Sequence, residues 1–399
     1  MNNKSSVLIG ALLVAGTSIG GGMLALPVLT SVTGFFPSLF VYFLCWVFMA
    51  STGLLFLEIT EWMHEEANIV SMAQRTLGRF GKIAAWILYI FLFYSLNIAY
   101  IVESGDTVVQ LANGHLPQWM GPIVFLLIFA PCIVISTALA GRINLFLMFG
   151  LIASYICFVV LGIRYINPQL LASANWGQAS KALPIAFTSF AYQGIVPTLV
   201  SYLKYDIAKG RKAILIGSFI PLIAYIIWQT LIMGIVPIEG SDGLKEALHK
   251  DYNAVQAMKL FLSNPYVYAI GQFFAFFALV TSFLGVTLGL RDFLADGLNI
   301  KQTLSGKVGL SLLIFIPPLL IAMIYPHIFL TMLEYAGGIG CALLLGLLPI
   351  LMVWRARYHL NLTGSFPLFG GKITLTVLGA FVTGVVLVEL CKIKMKIFG

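Results

Sequence analysis

The sequence predicts an all-α polytopic membrane protein, built as two five-helix halves followed by an eleventh helix. Three observations carry this. Of 399 residues, 10% are charged and 60% are hydrophobic, with a mean hydropathy of +0.98, whereas a soluble domain carries about 25% charged residues. Charge-free stretches long enough to cross a bilayer as helix, about 20 residues, recur along the whole chain. Two of them, one opening each half, are interrupted by glycine and proline, the pattern left by an internal repeat of membrane helices. So much apolar surface excludes a disordered chain. Five cysteines (Cys45, Cys132, Cys157, Cys341, Cys391), an odd number mostly inside apolar runs, read as small hydrophobes rather than a disulfide framework.

Taken in order, no charge separates Lys4 from Glu58, which leaves room for two spans parted at Gly34-Phe35-Phe36-Pro37. Span 1 is placed at about 6–33 and span 2 at about 37–62. The run after Lys4 has no small-residue cleavage site at a suitable distance and reads as a retained span, not a signal peptide. Further charge-free stretches lie at 83–102, 107–141, 143–163, 182–203, 213–238, 260–290, 308–333, 335–354 and 373–388. Glu103 with Asp106, and Glu334, interrupt runs that otherwise read as continuous helix. Breaking at Arg142 and at the Gly/Pro/Asn-rich joints gives eleven spans in one transmembrane domain over 1–399. Spans 1–5 fall at about 6–165, spans 6–10 at about 182–355 and span 11 at about 370–391.

The net charge of +8 does not point to nucleic acid, because the basic residues sit in short gaps between apolar runs, not among aromatics on a polar face. With the N-terminus in the cytoplasm, 15 of the 23 Lys and Arg fall on the inside and eight outside, in line with the positive-inside rule. The C-terminal Lys392, Lys394 and Lys396 then lie outside, against that trend. Two shorter segments read as amphipathic helices lying on the surface or capping a vestibule. These are 65–78, with Ile69, Met72, Ala73 and Leu77 on one face, and 253–262, with Val255, Met258 and Leu262.

Span 1 contains Gly16-Thr17-Ser18-Ile19-Gly20-Gly21-Gly22 and then Pro27. Gly16-xxx-Gly20 alone fits close helix packing, but three consecutive glycines, poor helix formers, point to unwound backbone. Span 6 contains Ser189-Phe190-Ala191-Tyr192-Gln193-Gly194-Ile195-Val196-Pro197. A helix broken inside a membrane exposes N–H groups at one half-helix end and C=O groups at the other. The first suit a carboxylate and the second an ammonium or metal cation, so the pair suits a zwitterionic amino acid.

The stretch Gly16-Thr17-Ser18-Ile19-Gly20-Gly21-Gly22-Met23-Leu24-Ala25-Leu26-Pro27 resembles the first-helix signature of the hydroxy/aromatic amino acid permease family, within the amino acid–polyamine–organocation superfamily. The resemblance extends to residues 190–199 and to 281–293, covers most of the chain, and is to the bacterial tyrosine-specific permeases within that family. Gly21 and Gly194 stand where relatives often have Ala and Asn. The resemblance implies a LeuT-like 5+5 inverted-repeat fold with an eleventh helix, in the bacterial inner membrane. It implies cation-coupled import of tyrosine or another aromatic amino acid by alternating access, with tryptophan or another neutral amino acid as the alternative.

On that reading the amides of Gly20, Gly21 and Gly22, beside Thr17 and Ser18, face the substrate carboxylate. Carbonyls near Thr188, Ser189 and Phe190 take the ammonium, with Phe190 as a lid, while Gln193, Asn97 and Tyr100 read the side chain. The resemblance also implies a sodium site formed by carbonyls of Gly16, Ile19 and Ala278 and the hydroxyls of Thr281 and Ser282, an all-oxygen shell suited to a hard cation. Thr281 and Ser282 share the face of Ala278, though such hydroxyls also bond back to their own helix. The other coupling ion is a proton on Glu103 or Glu334, intramembrane carboxylates that read equally as facing a wet vestibule. No lysine stands in span 5 in place of a sodium ion.

The expected partners are therefore a small-molecule substrate, a monovalent cation and lipid, with no cofactor, no nucleic acid and a monomeric state. Five histidines at loop edges show no metal-ligand spacing, and no phosphate-cradling loop is present, which argues against an enzyme. A channel would show a repeated filter or charged rings. A transporter-fold nutrient sensor is the remaining rival, without a soluble signalling tail.

Overall fold

Inside a bilayer the backbone has no water to bond, so spanning segments must satisfy themselves as helices, and this chain is accordingly almost all helix. The computed structural model describes residues 3–63, 68–112, 115–135, 137–262, 264–300, 303–362 and 364–398. In order come α1 Asn3–Ser18, α2 Gly21–Leu29, α3 Phe35–Glu61, α4 Ile69–Leu111, α5 Met120–Ile135 and α6 Thr137–Gly162. After a stretch of short turns follow α7 Leu183–Ser189, α8 Val196–Tyr202, α9 Ile207–Ile235, α10 Leu244–His249, α11 Ala254–Ala257 and α12 Pro265–Gly297. The chain closes with α13 Leu304–Ile324, α14 Phe329–Tyr335, a π-helical stretch Ala336–Leu347, α15 Leu348–Tyr358 and α16 Gly371–Phe398.

Among the described residues, nine helices are long and apolar enough to cross a membrane. The pair Ser6–Ser18 and Gly21–Thr33, bent by 54°, forms a tenth, and Met120–Ile133 is apolar but shorter. The core is centred on the two broken segments: every residue of α2 is buried, and so is all of α7 after Leu183. Around them α1 packs on α9, α12 on α6 and α4, α3 on α9, and the π-helical stretch between α7 and α16. The outer helices keep exposed Leu, Ile and Phe along their length, as at Phe146, Phe149, Leu313 and Ile373, as lipid-facing surfaces do.

One expected boundary moves, and the charge-free stretches do not coincide with the helices. The break between spans 4 and 5 does not fall at Arg142: α6 begins at Thr137 and passes through Arg142 without interruption. One exposed arginine near a helix end keeps its head in the polar layer and breaks nothing. The stretch 308–333 does not form one helix; α13 stops at Ile324 before Tyr325-Pro326, and Glu334 lies one turn into the next helix. Pro326 sets that boundary, a proline joint of the kind at which the sequence divides. Spans 3 and 8 run on through Glu103, Asp106, Arg291 and Asp296.

The expected surface helix over 65–78 is observed from Ile69; His64, Glu65, Glu66 and Ala67 lie outside the described residues. Asn68 caps it with a reciprocal Ser71 bond. It turns into span 3 at Gly78, whose φ of 75° and ψ of −159° favour a residue without Cβ. Over 253–262 the residues Val255, Met258 and Leu262 are all buried, and α11 packs against α2 and α12 as a cap.

Contacts at the helix ends define two faces, that of the N-terminus and the one opposite. On the N-terminal face Arg357 donates Nε and Nη2 to the buried Glu58, at 2.7 and 2.5 Å, and Glu61 accepts the Ser365 N–H at 2.9 Å. On the opposite face Asn253 donates to Glu103 at 2.5 Å, Gln118 to Asp106 at 2.8 Å, and Lys392 of α16 to Glu334 at 2.9 Å. Asp251 accepts the N–H groups of Phe329 and Leu330 at 2.7 and 2.9 Å and so caps α14.

Partial burial of Asp251, with Asp106 nearby, pushes its carboxyl up to about 6 against the two N–H bonds and His327, which pull it down. The folded state thus holds a proton that the unfolded chain releases near the usual 3.8. The stability this proton confers is complete below about pH 4 and is lost as pH rises through about 6. Thermal unfolding in detergent between pH 4 and 7 checks this: Asp251→Asn flattens the decline in melting temperature relative to the wild type.

Candidate functional site

Span 1 unwinds where its glycines predict. α1 ends at Ser18, Gly20 adopts an extended conformation (φ −171°, ψ −151°), and α2 starts at Gly21. The glycines also admit close neighbours. A Cβ at Gly20 would overlap the Ser282 hydroxyl, one at Gly21 would lie 2.5 Å from the Tyr100 ring, and one at Gly22 would lie 3.0 Å from Ser189 Oγ. The tight-packing and unwound readings of the sequence therefore both hold, one because of the other. Span 6 breaks after Ser189, with Phe190 to Tyr192 outside any helix and a single turn Gln193–Ile195 before α8.

Between the breaks lies a cavity of about 580 Å³, within the range of small-molecule sites. Its polar wall is Gly16 to Gly22, Tyr100, Thr188, Thr281 and Ser282; its apolar wall includes Tyr89, Leu92, Phe93, Leu96 and Leu344. A second hollow of about 390 Å³ shares Ile69, Tyr89, Gly194 and Gly289 with it. That hollow is rimmed by Asn68, Asp292 and Asp296, which are exposed on the N-terminal face. On the other side, Phe190 is buried between Tyr42 and Tyr225, with ring centroids 6.4 and 5.0 Å away. Above it Tyr42 donates to Gln229 at 2.7 Å and Gln229 to Thr30 at 2.9 Å. The cavity thus leads toward the N-terminal face and is sealed toward the other.

The substrate residues expected from sequence divide. Thr17, Ser18, Gly20, Gly21, Gly22, Tyr100 and Thr188 line the cavity; Asn97, Ser189, Phe190 and Gln193 do not. Gln193 is turned onto α3, donating to Met49 O at 3.2 Å and Thr52 Oγ1 at 2.9 Å and accepting the Tyr192 N–H at 3.0 Å. Its amide holds the unwound segment and does not face the cavity. Asn97 is fully buried and accepts from Thr287 at 2.8 Å. Phe190 is a core residue under the sealed side.

Of the expected cation ligands, Gly16, Ile19, Thr281 and Ser282 line the cavity and Ala278 does not. Thr281 donates to Phe277 O at 2.7 Å and Ala278 O at 3.2 Å. Ser282 Oγ accepts the Gly21 N–H at 2.9 Å, so the hydroxyl expected to meet a cation occupies one of the amides expected to face the carboxylate. Glu103 does not face a wet vestibule: it is 1% exposed and held by Asn253. Glu334 is paired with Lys392.

One group at the site gave no sequence signal. Tyr225, a fully buried tyrosine in α9, donates to Ser18 O and Ser189 O, both at 2.7 Å. A lone tyrosine in an apolar run is indistinguishable from the other fifteen of the chain's 16.

Gln193→Leu leaves the Tyr192 N–H without its partner, at about 1–3 kcal/mol for a buried group, while the Met49 carbonyl keeps the Tyr192 hydroxyl. The expected result is a lower melting temperature with substrate KM within threefold of wild type. A large rise in KM at unchanged stability would instead make Gln193 a ligand contact.

The family model described as the tryptophan/tyrosine permease family matches residues 3–390. The chain is 33% identical over 384 residues to the tyrosine-specific transport system 1 of Haemophilus influenzae, covering 94% of each. It is 30% identical to tyrosine-specific transport system 2 of that organism, over 96% of this chain and 95% of the relative. It is also 30% identical to that organism's tryptophan-specific transport protein, over 92% and 91%. Among solved structures, MhsT in complex with L-phenylalanine superposes with a TM-score of 0.66 at 15% identity, over 97% of both chains. The architecture is thus the LeuT-like one.

Proposed function

Since the chain belongs to the tryptophan/tyrosine permease family, we propose that it is a secondary transporter that imports an aromatic amino acid, L-tyrosine, by alternating access with cation symport. The observation that carries this reading is the cavity between the two broken helices, walled on one side by the unwound Gly20 to Gly22 at the start of α2 and on the other by Tyr89 and Phe93. The α2 N-terminus, with its partial positive charge, meets the carboxylate. The apolar wall takes the ring, and about 580 Å³ leaves room for it. Tyrosine is preferred over tryptophan on the names of the two Haemophilus relatives at 33% and 30% identity.

The protein works as a monomer in the bacterial inner membrane, with its N-terminal face cytoplasmic and its C-terminus periplasmic. The excess of Lys and Arg on the N-terminal face supports this orientation. With the cavity leading to that face, the arrangement corresponds to the inward-facing stage of the cycle.

Two placements compete for the coupling ion. Sodium would bind the carbonyls of Gly16, Ile19 and Ala278 with Thr281 and Ser282, whose hydroxyls stand on the face of α12 turned to the break. A proton would ride on Glu103, which is buried and bonded to the cap segment at Asn253. Glu334 is the weaker proton carrier, because protonating it would remove the closer of the two carboxylates beside Lys392. Uptake of labelled tyrosine, phenylalanine and tryptophan into proteoliposomes, with sodium and pH gradients imposed separately, tests the whole reading. Tyrosine accumulates under one gradient; if neither drives any of the three, the proposal fails. Under sodium coupling, Thr281→Ala and Ser282→Ala each abolish the sodium response, and an unchanged response in both assigns the role to Glu103.

A further inference from the structure

The two half-helices α1 and α7 end beside each other in the middle of the fold, at Ser18 and Ser189. Carbonyls in the last turn of a helix have no amide partner within it and carry the negative end of the helix dipole, about half an elementary charge. Two such ends brought together in apolar surroundings repel each other, and each unpartnered carbonyl carries a desolvation cost. Both converge on one atom. The Tyr225 hydroxyl lies 2.7 Å from Ser18 O and 2.7 Å from Ser189 O, on a side chain with no solvent exposure. A phenol has a single hydrogen to donate, so the two carbonyls share it. The Phe190 ring packs edge-on to the Tyr225 ring with centroids 5.0 Å apart, which fixes the direction of the hydroxyl. An electropositive hydrogen bridging two backbone carbonyls stands where an ammonium or a metal cation would otherwise be needed.

We propose that Tyr225 is a positioning residue for transport: its hydroxyl clasps the carbonyl ends of both broken helices, so that α1 and α7 change position together, and it supplies from the chain itself the positive hydrogen that those ends require. The clasp explains why two helix interruptions 36 and 207 residues from Tyr225 in sequence meet at one point rather than relaxing independently. It also assigns a different task to Ser18 O and Ser189 O, which serve the joint, while the cavity-lining start of α2 at Gly22 serves the ligand.

The kinetic part of the test rests on the transport reading given above; the exchange part does not. Tyr225→Phe removes the hydroxyl and keeps the ring. Reconstituted, it should lose at least tenfold in maximal tyrosine uptake rate per folded transporter, with KM within threefold. By hydrogen–deuterium exchange in detergent, segments 19–22 and 190–193 should both exchange faster than in the wild type. A raised KM at unchanged maximal rate would make the hydroxyl a substrate contact and overturn the proposal. So would loosening at only one break, or no change in either measurement, as for a tyrosine that merely fills space. If the variant does not fold, 3,5-difluorotyrosine at position 225 keeps the shape and strengthens the donor. Slower exchange at both breaks supports the clasp, and unchanged exchange overturns it. Wild-type protein that takes up no aromatic amino acid would sink the transport reading, and exchange alone would then decide the clasp.

Discussion

A helix interrupted in the middle of a membrane leaves polar backbone groups where no water can reach them, and most of this structure can be understood as the means of satisfying them. Two interruptions generate the problem twice. The Gly21 N–H goes to Ser282 Oγ, the Tyr192 N–H to the Gln193 side chain, and the carbonyls of Ser18 and Ser189 to the Tyr225 hydroxyl. Each partner comes from a surrounding helix or from the interrupted segment itself. The groups that remain at the cavity wall are few: the start of α2 at Gly22 and hydroxyls on α12, opposite an aromatic and aliphatic wall.

The same logic accounts for the difference between the two faces. Toward the face opposite the N-terminus, the cavity is covered by layers that bond to one another: Phe190 over the site, Tyr42 with Gln229 and Thr30 above it, and the cap segment held by Asn253 on Glu103. Toward the N-terminal face the Glu58–Arg357 pair and Glu61 tie α3 to the end of α15 and the loop after it, but they stand to one side of the hollow rimmed by Asn68, Asp292 and Asp296. On the proposed transport reading, polar ties on one side and an open rim on the other mark one alternating-access state, because closing one route and opening the other requires the ties to be exchanged.

Much of this was legible in the residues. Gly16 to Gly22 and Ser189 to Pro197 marked both interruptions, since glycine and proline act on the backbone locally and need no tertiary partner to do so. The amphipathic faces of Ile69–Leu77 and Val255–Leu262 were visible for the same reason. Charge was a poorer guide. Arg142 looked like a boundary, yet it lies within a helix, because a charge near a helix end can reach polar surroundings.

Local composition therefore determined by itself the membrane class, the order of apolar runs and the two places where helix gives way, because each follows from forces acting within a turn or two of chain. Packing alone decided which polar groups meet. Gln193 went to α3 rather than to the cavity, Ser282 to the Gly21 amide, and Tyr225 to two carbonyls far from it in sequence. A hydrogen bond demands its two atoms within about 3 Å, and only the three-dimensional arrangement of distant helices fixes distances of that size.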